Sequence, residues 1–520
     1  MKEGIAILFA FCGLLSWVGV AAQGTHNVRE TQLQECIQSL SPNATFIYRN
    51  DTIRYDESRI GASSAHFTEG YPILIVAVQQ VLDVQAAVKC CSSFSIPISV
   101  MNGGHSFEGL STTMSDSRQQ TIDDPDGLLL HMEKFSEVES VDFDSNATAP
   151  TITIQAGMRL GRFYGNVVKY SYNGEWIIGG GSCPTVGVVG HTICGGYGDF
   201  GRYVGLLSDQ LDSLDIVDAS GNLIHASSLS DGGDSDLFWA LRGCCSSAFG
   251  IVVRATFRFT RMPLGSDGRF TKIRTGIAGR ENVLLVAMWW QKYATSIAPI
   301  EMTCYFTINT KQIKGDTQVK ADFGCLYLGK AESALSATLI DLVDGLEKVL
   351  SSSEVENLYK EQNVLQTVPG FGDDATIDDL LNTESLPPLI QREYDCGEKG
   401  SSLLAYHELP ISSMNVLLDL LENGHIDVAF LKPHGGKADL ETVEGPVWDD
   451  RSPLRRGHVF EIHYCKPKNY PLSNFLDILN ILNLHFVDEN HTNFSIDDLM
   501  AGSTSYLDSG TYTFRHEYYS

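Results

Sequence analysis

Basic residues are scarce in this 520-residue chain: 37 lysines and arginines stand against 64 aspartates and glutamates, a formal net charge of -27. Nucleic acid and anionic membranes repel such a surface before any local patch can engage, so neither is expected as a partner. Beyond residue 22 the sequence also lacks any run of the ~20 apolar residues that a spanning helix needs. Twelve cysteines are too few to serve as the main scaffold of so long a chain. Excluded with these absences are nucleic-acid binders, multi-span membrane proteins and small disulfide-framework folds. With 43% hydrophobic and 19% charged residues, what remains is a globular protein long enough for two or three substantial cores.

Residues 1–22 read as a secretory leader, with Lys2 at the positive start, an apolar stretch from Ile5 to Val20 and small residues at Val20, Ala21 and Ala22 before Gln23. Sequons at Asn43, Asn50, Asn146, Asn490 and Asn493 fit an oxidising route out of the cell. Loss of Cys12 with the leader leaves eleven cysteines, an odd number, so at least one thiol is unpaired. Cys36 lies in an early helical stretch, and Cys90 and Cys91 end an amphipathic segment; a bond from Cys36 to one of that pair is expected.

Two glycine loops carry the chemistry. The first is NGGHSFEG, Asn102 to Gly109, and the second GGGSCPTVGVVGHTICGGYG, Gly179 to Gly198. Each sets one reactive side chain, His105 or Cys183, among residues too small to fill a core. Glycine at this density marks backbone that turns tightly or approaches something closely. The first loop matches neither GxGxxG nor GxxxxGK[ST], which argues against Rossmann and P-loop sites. Its consecutive backbone N–H groups at Gly103 and Gly104 are nonetheless suited to converge on a phosphate.

Around the loops, Tyr71–Val78 reads as a strand, Val81–Cys91 as a helix and Ile96–Met101 as a strand entering the first loop. Leu128–Val141 and Thr151–Gln155 are β-rich, Leu160–Tyr170 is helical, and Leu211–Val217 is a strand turning at Ser220-Gly221-Asn222. Asp236–Arg242 is a short helix leading through a loop of small residues, Gly243–Gly250, into a strand at Ile251–Phe259. This is an α+β nucleotide-binding unit. Past Pro263 come helical segments at Val283–Tyr293, Ala331–Leu350 and Ile411–Glu422, and strands near Met302–Asn309, Gly324–Leu328 and Val428–Leu431, the pattern of an antiparallel sheet backed by helices.

NGGHS, GGGSCPTVGVVGH and DLFWALRGxxxxxFGIV occur in that order, and together they resemble the berberine-bridge-enzyme-like branch of the FAD-linked oxidases, in the vanillyl-alcohol oxidase superfamily. The resemblance implies an α+β fold with a two-part FAD-binding domain of the PCMH type at 66–262, after a leader at 1–22 and a lead at 23–65. A substrate domain at 263–464 and a C-terminal region at 465–520, shortened relative to the family, complete the implied division. It implies FAD held at two points, by His105 to the 8α carbon and by Cys183 to C6. Asn102, Gly103, Gly104 and Ser106 are then expected along the pyrophosphate, and Gly187, Gly190 and His191 along the dinucleotide or ring, although His191 fits equally well as a satisfied core histidine. Gly250, Ile251 and Val252 follow the third loop toward the same cofactor. Val186 matches a position where valine accompanies oxygen access, which favours oxidase over dehydrogenase.

The implied active-site base is Glu461, in the alternating stretch GHVFEIHY at 457–464, with His463 as fallback and His434 as a polar pocket residue; an exposed edge strand is the competing reading for Glu461. The tail starts a family-like strand at Thr504–Asp508 and then ends, with Ser509 where some relatives place a tyrosine base. Met101, Asn102, Val189, Cys194 and the sequence GCCSSAFG at 243–250 depart from the family pattern, each adding volume where backbone is expected to meet cofactor. The expected activity is hydride transfer from a small alcohol, sugar or aromatic compound to flavin and then to O2, giving H2O2. The alternatives are a dehydrogenase with another acceptor and a non-catalytic secreted protein that keeps the fold.

Overall fold

The run Leu-Ile-Val-Ala at 74–77 is apolar without alternation, and the chain uses it as a strand covered on both faces. A computed structural model describes residues 28–466 except 61–69, 107–110, 112–124, 144–148, 172–174, 182, 231–232, 244–248, 264–269, 314–315, 329–343, 346–347, 351–364, 367–397, 406–407, 427, 434–447, 450–451 and 456–459. The first sheet holds β1 (Thr45–Ile47), β2 (Leu74–Ala77), β3 (Ile98–Met101) and β4 (Leu128–His131), in the order β1-β2-β4-β3. β2 and β3 run parallel to β4, and β1 is antiparallel to β2. On one face Leu74 and Val76 join the main core with helix α2; on the other Ile75 and Ala77 pack with Ile47, Leu129 and Tyr55 of α1. α1 is Thr52–Arg59 and α2 is Val81–Phe94. The start of α2 is closed by a reciprocal cap, with Asp83 accepting the Gln80 backbone N–H and Gln80 receiving the Asp83 N–H in return.

The β-rich run Leu128–Val141 breaks in two. After β4 the backbone turns at Met132–Phe135, with the Phe135 N–H on the Met132 carbonyl, and β5 (Val138–Asp142) enters a second sheet. There β6 (Thr151–Gln155), β8 (Leu211–Val217), β9 (Leu223–Ser227) and β10 (Ile251–Arg258) lie antiparallel in the order β5-β6-β10-β8-β9, while β7 (Trp176–Ile177) pairs separately with β11 (Thr260–Arg261). Alternation sends Ile152, Ile154, Leu214, Ile216, Ala255 and Phe257 into the core. The outer face carries a polar ladder across the strands, from Glu139 through Arg254 to Asp215 and His225.

Helix α3 (Leu160–Tyr170) precedes the second glycine loop, α4 (Val188–Ile193) lies inside it, and α5 (Gly201–Val204) follows it; α6 (Gly233–Leu241) leads toward β10. A second large core begins beyond. Strands β12 (Phe270–Ala278), β13 (Met302–Ile313), β14 (Asp316–Leu328), β15 (Leu365–Gln366), β16 (Glu398–Ala405), β17 (Val428–Pro433) and β20 (Phe460–Lys466) form an antiparallel sheet ordered β15-β12-β14-β13-β17-β20-β16; β18 (Trp448–Asp449) and β19 (Ser452–Arg455) make a separate pair. Helices α7 (Arg280–Lys292) and α8 (Ile411–Glu422) back the sheet, burying Val283, Val286, Trp290, Leu417 and Leu421 against Phe306 and Phe323. The α+β architecture read from the sequence is the one observed.

The two cores meet where Arg202 of α5 donates to the Thr295 and Ala298 carbonyls, 3.3 and 3.0 Å away, at the end of a π-helical turn at Tyr293–Ile297. Cys36 bonds to Cys90, at a Cα separation of 5.9 Å, and Cys91 is a buried free thiol. Cys304 bonds Cys325 directly across β13 and β14. Asn43 and Asn50 are exposed, as glycan acceptors must be. No described helix is long and apolar enough to cross a membrane. The leader, the tail, His434, most of Ala331–Leu350 and most of GCCSSAFG lie outside the described residues.

Candidate functional site

β3 delivers Asn102 to the edge of the first sheet, where its side-chain amide leaves the loop and donates to the Ala156 and Met158 carbonyls at 2.6 and 3.1 Å. Both partners are carbonyls, so the amide orientation is fixed by chemistry. Ala156 in turn donates to the Val253 carbonyl, so the first loop is tied to β10 beside Ile251 and Val252. With both amide hydrogens spent on these carbonyls, the donor that Asn102 keeps for a pyrophosphate is its backbone N–H, the role expected of it. Its Oδ1 is buried without a partner. Gly104 has φ +70°, a conformation that suits glycine.

The second loop closes on itself. Gln210, buried, holds the Gly179 backbone from both sides, accepting its N–H at 2.9 Å and donating to its carbonyl at 3.0 Å. Gly198 packs so tightly on Gly180 that an added Cβ would lie 1.9 Å from the Gly180 carbonyl oxygen. Between these ends, the Gly161 N–H donates to Pro184, Leu160 to Val186, and Val188 to Met158, so Pro184–Val188 is laid along the segment that starts α3. His191 on α4 accepts the Gly181 N–H through Nε2 at 2.8 Å, which requires the ring proton on Nδ1. The Tyr164 hydroxyl donates to the Gly181 carbonyl at 2.7 Å, and burial pushes that hydroxyl far above its ordinary range.

The loops then meet. A Cβ at Gly103 would stand 2.4 Å from the Gly187 nitrogen and 2.5 Å from the Thr185 carbonyl oxygen, so the absence of a side chain is what permits the crossing. Across it the Thr185 hydroxyl lies 2.8 Å from His105 Nε2 and 3.5 Å from Cys183 Sγ. Two reactive side chains 78 positions apart in sequence thus share one hydroxyl. Cys183 is unpaired and half-exposed, whereas burial pushes the Cys91 thiol up to about 12. Thr185 was not singled out from the sequence; a hydroxyl two residues after the reactive cysteine was the available signal.

These residues fit a flavin. The cradle has glycine where a Cβ would collide, an unpartnered buried acceptor at Asn102, and two side chains of the kinds that form flavin bonds. Val189, one departure from the family pattern, turns its side chain into the main core, while Gly190 beside it is exposed with open space where a Cβ would project. The added volume of Val189 therefore goes inward. Met101 likewise packs under the sheet with Tyr55 and Leu129. Cys194 is disulfide-bonded. Ser106 and Val186 are half-buried, and Gly250 has φ +142° with Ile216 and Val217 against it, just before Ile251 opens β10.

Comparison with known proteins supports FAD as the cofactor. The FAD binding domain family matches residues 72–227. Berberine bridge enzyme-like D-1 of Nicotiana tabacum is 29% identical over 402 residues, covering 76% of this chain and 64% of that protein. Tetrahydroberberine oxidase of Berberis wilsoniae is 25% identical over 481 residues, 89% of this chain and 82% of its own length. The chain is similar to berberine-bridge-enzyme-like proteins over about three quarters of its length. It spans just under two thirds of the length of the Nicotiana relative. The fold is also that of Phl p 4, a grass pollen allergen with glucose dehydrogenase activity, at TM-score 0.69 and 22% identity over 92% of this chain and 88% of that one.

The structure separates the site residues into two groups. His105, Cys183, Asn102, Gly103, Val186, Gly187 and His191 are gathered by direct contacts. Glu461 and His463 lie on β20 in the other sheet, where Glu461 pairs with Lys432 of β17 and Leu404 of β16, and His463 pairs with Phe430 and Ser402. β20 is an interior strand, so the edge-strand reading of Glu461 does not hold. The strand starts at Phe460, and the preceding 457–459 lie outside the described residues. Two residues apart, Glu461 and His463 share one face of β20.

Proposed function

We propose that the chain is a secreted flavoprotein oxidase that takes a hydride from a small alcohol, sugar or aromatic substrate and passes the electrons to O2, with FAD attached at both His105 and Cys183. The observation that carries this reading is the convergence of His105 and Cys183 on the Thr185 hydroxyl. When bound, FAD supplies the two-electron acceptor. The protein's own contribution is to hold and deprotonate: Gly103 and Gly104 offer backbone N–H groups, and Gly187, Gly190 and His191 line the cradle. Gly250, Ile251 and Val252 close it from β10.

Glu461 is the base in this reading, taking a proton from the substrate hydroxyl or phenol as the electron pair departs, a role that positioned carboxylates fill with about 10²–10⁴-fold effect. His463, on the same face of β20, is the fallback. Val186, next to Thr185, supports oxygen as the acceptor through the small side chain it sets in the loop. Secretion is supported by the leader-like residues 1–22, by the exposed sequons at Asn43 and Asn50 and by the disulfides.

Acid precipitation tests the central claim. Yellow colour should stay in the pellet of the wild-type protein, weaken in His105→Ala and in Cys183→Ala, and leave only in the double variant; a colourless wild-type pellet defeats attachment at either residue. On a substrate found from a panel of sugars, alcohols and phenols, Glu461→Gln should lose most turnover. Peroxide formed under air, set against dye reduction under argon, decides between oxidase and dehydrogenase.

A further inference from the structure

Thr185 is held in place by hydrogen bonds within the chain. The carbonyls on either side of it, at Pro184 and Val186, accept the Gly161 and Leu160 N–H groups at 2.9 Å each, and its own carbonyl packs on Gly103. Threonine is branched at Cβ and stiff at χ1, so fixed backbone limits the hydroxyl to few directions. The direction it takes lies between His105 Nε2 at 2.8 Å and Cys183 Sγ at 3.5 Å. A hydroxyl has one proton to donate and lone pairs to accept. It can therefore accept from a thiol while donating to the unprotonated nitrogen of a neutral imidazole.

We propose that Thr185 is a positioning residue that couples the two attachment side chains, passing the Cys183 proton to His105. The S–H bond breaks as its proton moves to Thr185 Oγ1, and the hydroxyl's own proton moves to His105 Nε2. Thiol, hydroxyl and neutral imidazole become thiolate, hydroxyl and imidazolium, with no electrons gained or lost. The thiolate is the nucleophilic form of cysteine. Cys183 is thus activated through His105, and the two points of attachment are chemically dependent. This inference rests on the reading that flavin bonds to Cys183, and it adds the device that prepares the sulfur.

The test uses the full chain in two preparations. From riboflavin-limited cells, where Cys183 is free, the rate of iodoacetamide alkylation at Cys183 is followed at pH 7 by peptide mass spectrometry. Thr185→Val, which keeps shape and branching but loses the hydroxyl, should slow alkylation at least tenfold, and His105→Gln should slow it comparably. Thr185→Ser, which restores the hydroxyl, should stay within about threefold of wild type; a purely packing role would place serine further from wild type than valine. Alkylation of Thr185→Val at the wild-type rate overturns the proposal, and if that variant does not fold, the same result in His105→Gln does so. From riboflavin-replete cells, the flavin-bearing Cys183 peptide is quantified. Its absence in wild type defeats the attachment reading alone, because the alkylation rates judge the relay independently.

Discussion

Gly103 and Gly190 form a pair of substitutions whose effects should be opposite. At Gly103 an alanine Cβ would fall 2.4 Å from the Gly187 nitrogen and 2.5 Å from the Thr185 carbonyl oxygen. That is about an ångström inside ordinary contact, and backbone cannot rotate away as a side-chain end can. The two glycine loops must separate, or the Asn102 side chain must release the Ala156 and Met158 carbonyls it holds. Overpacking of this kind costs about 1–3 kcal/mol, and for a unit of a few hundred residues each kcal/mol lowers Tm by roughly 2–4 °C. At Gly190 nothing lies within 4 Å of the added Cβ, and the residue is inside α4, where alanine is favoured over glycine by about 0.5–1 kcal/mol. Scanning calorimetry of both variants, with flavin content measured by absorbance, should show Gly103→Ala melting several degrees low and Gly190→Ala melting at or above wild type. Gly190→Ala should nevertheless carry less flavin, because the proposed cofactor site takes in the open space beside it. Gly103→Ala melting within a degree of wild type would refute the loop crossing, and full flavin content in Gly190→Ala would refute the placement of the cofactor against α4.

Two further outcomes follow from other parts of the chain. Arg202→Met should lower the urea midpoint by an amount equivalent to about 1–3 kcal/mol, because it strips donors from the half-buried Thr295 and the buried Ala298 carbonyls where the two cores join; unchanged stability would mean that this junction contributes nothing. Asp218 accepts the Ser220 and Asn222 N–H groups in the β8–β9 turn, and the Asn222 backbone bond is the leading cause that holds its carboxyl below the ordinary value. A depressed folded pKa contributes stability that is complete above the unfolded value of about 3.9 and is lost as pH falls through the folded one. The stability gap between wild type and Asp218→Ala should therefore be constant near neutral pH and close in acid below that range; a gap that widens in acid contradicts the assignment.

Much of this protein was determined by its sequence alone. Period and composition placed Thr151–Gln155, Leu160–Tyr170, Leu211–Val217 and Ile411–Glu422 with the ends they have, because each is a strongly patterned segment bounded by turn or cap residues. The spacing of the glycine loops marked His105 and Cys183, since glycine density and reactive side chains are local properties. The sequence also narrowed the partner of Cys36 to Cys90 or Cys91. Choosing Cys90 required the rotation of α2 against the helical stretch at 28–40, because adjacent helical residues point about 100° apart.

What only the tertiary structure decided is how distant segments share space. The break in Leu128–Val141 depends on which sheet each half can join, and the run of β-formers is uniform across it. The interior place of β20 is set by β16 and β17 pairing on its two sides. That the Asn102 side chain ties its loop to the Ala156 and Met158 carbonyls is visible only in the fold, and Val189 reads as an obstruction until its side chain turns into the core. In the sequence Thr185 is only a hydroxyl two residues after Cys183. It becomes chemically distinctive because Gly103 lets one backbone pass within reach of another, which brings a hydroxyl, an imidazole and a thiol together.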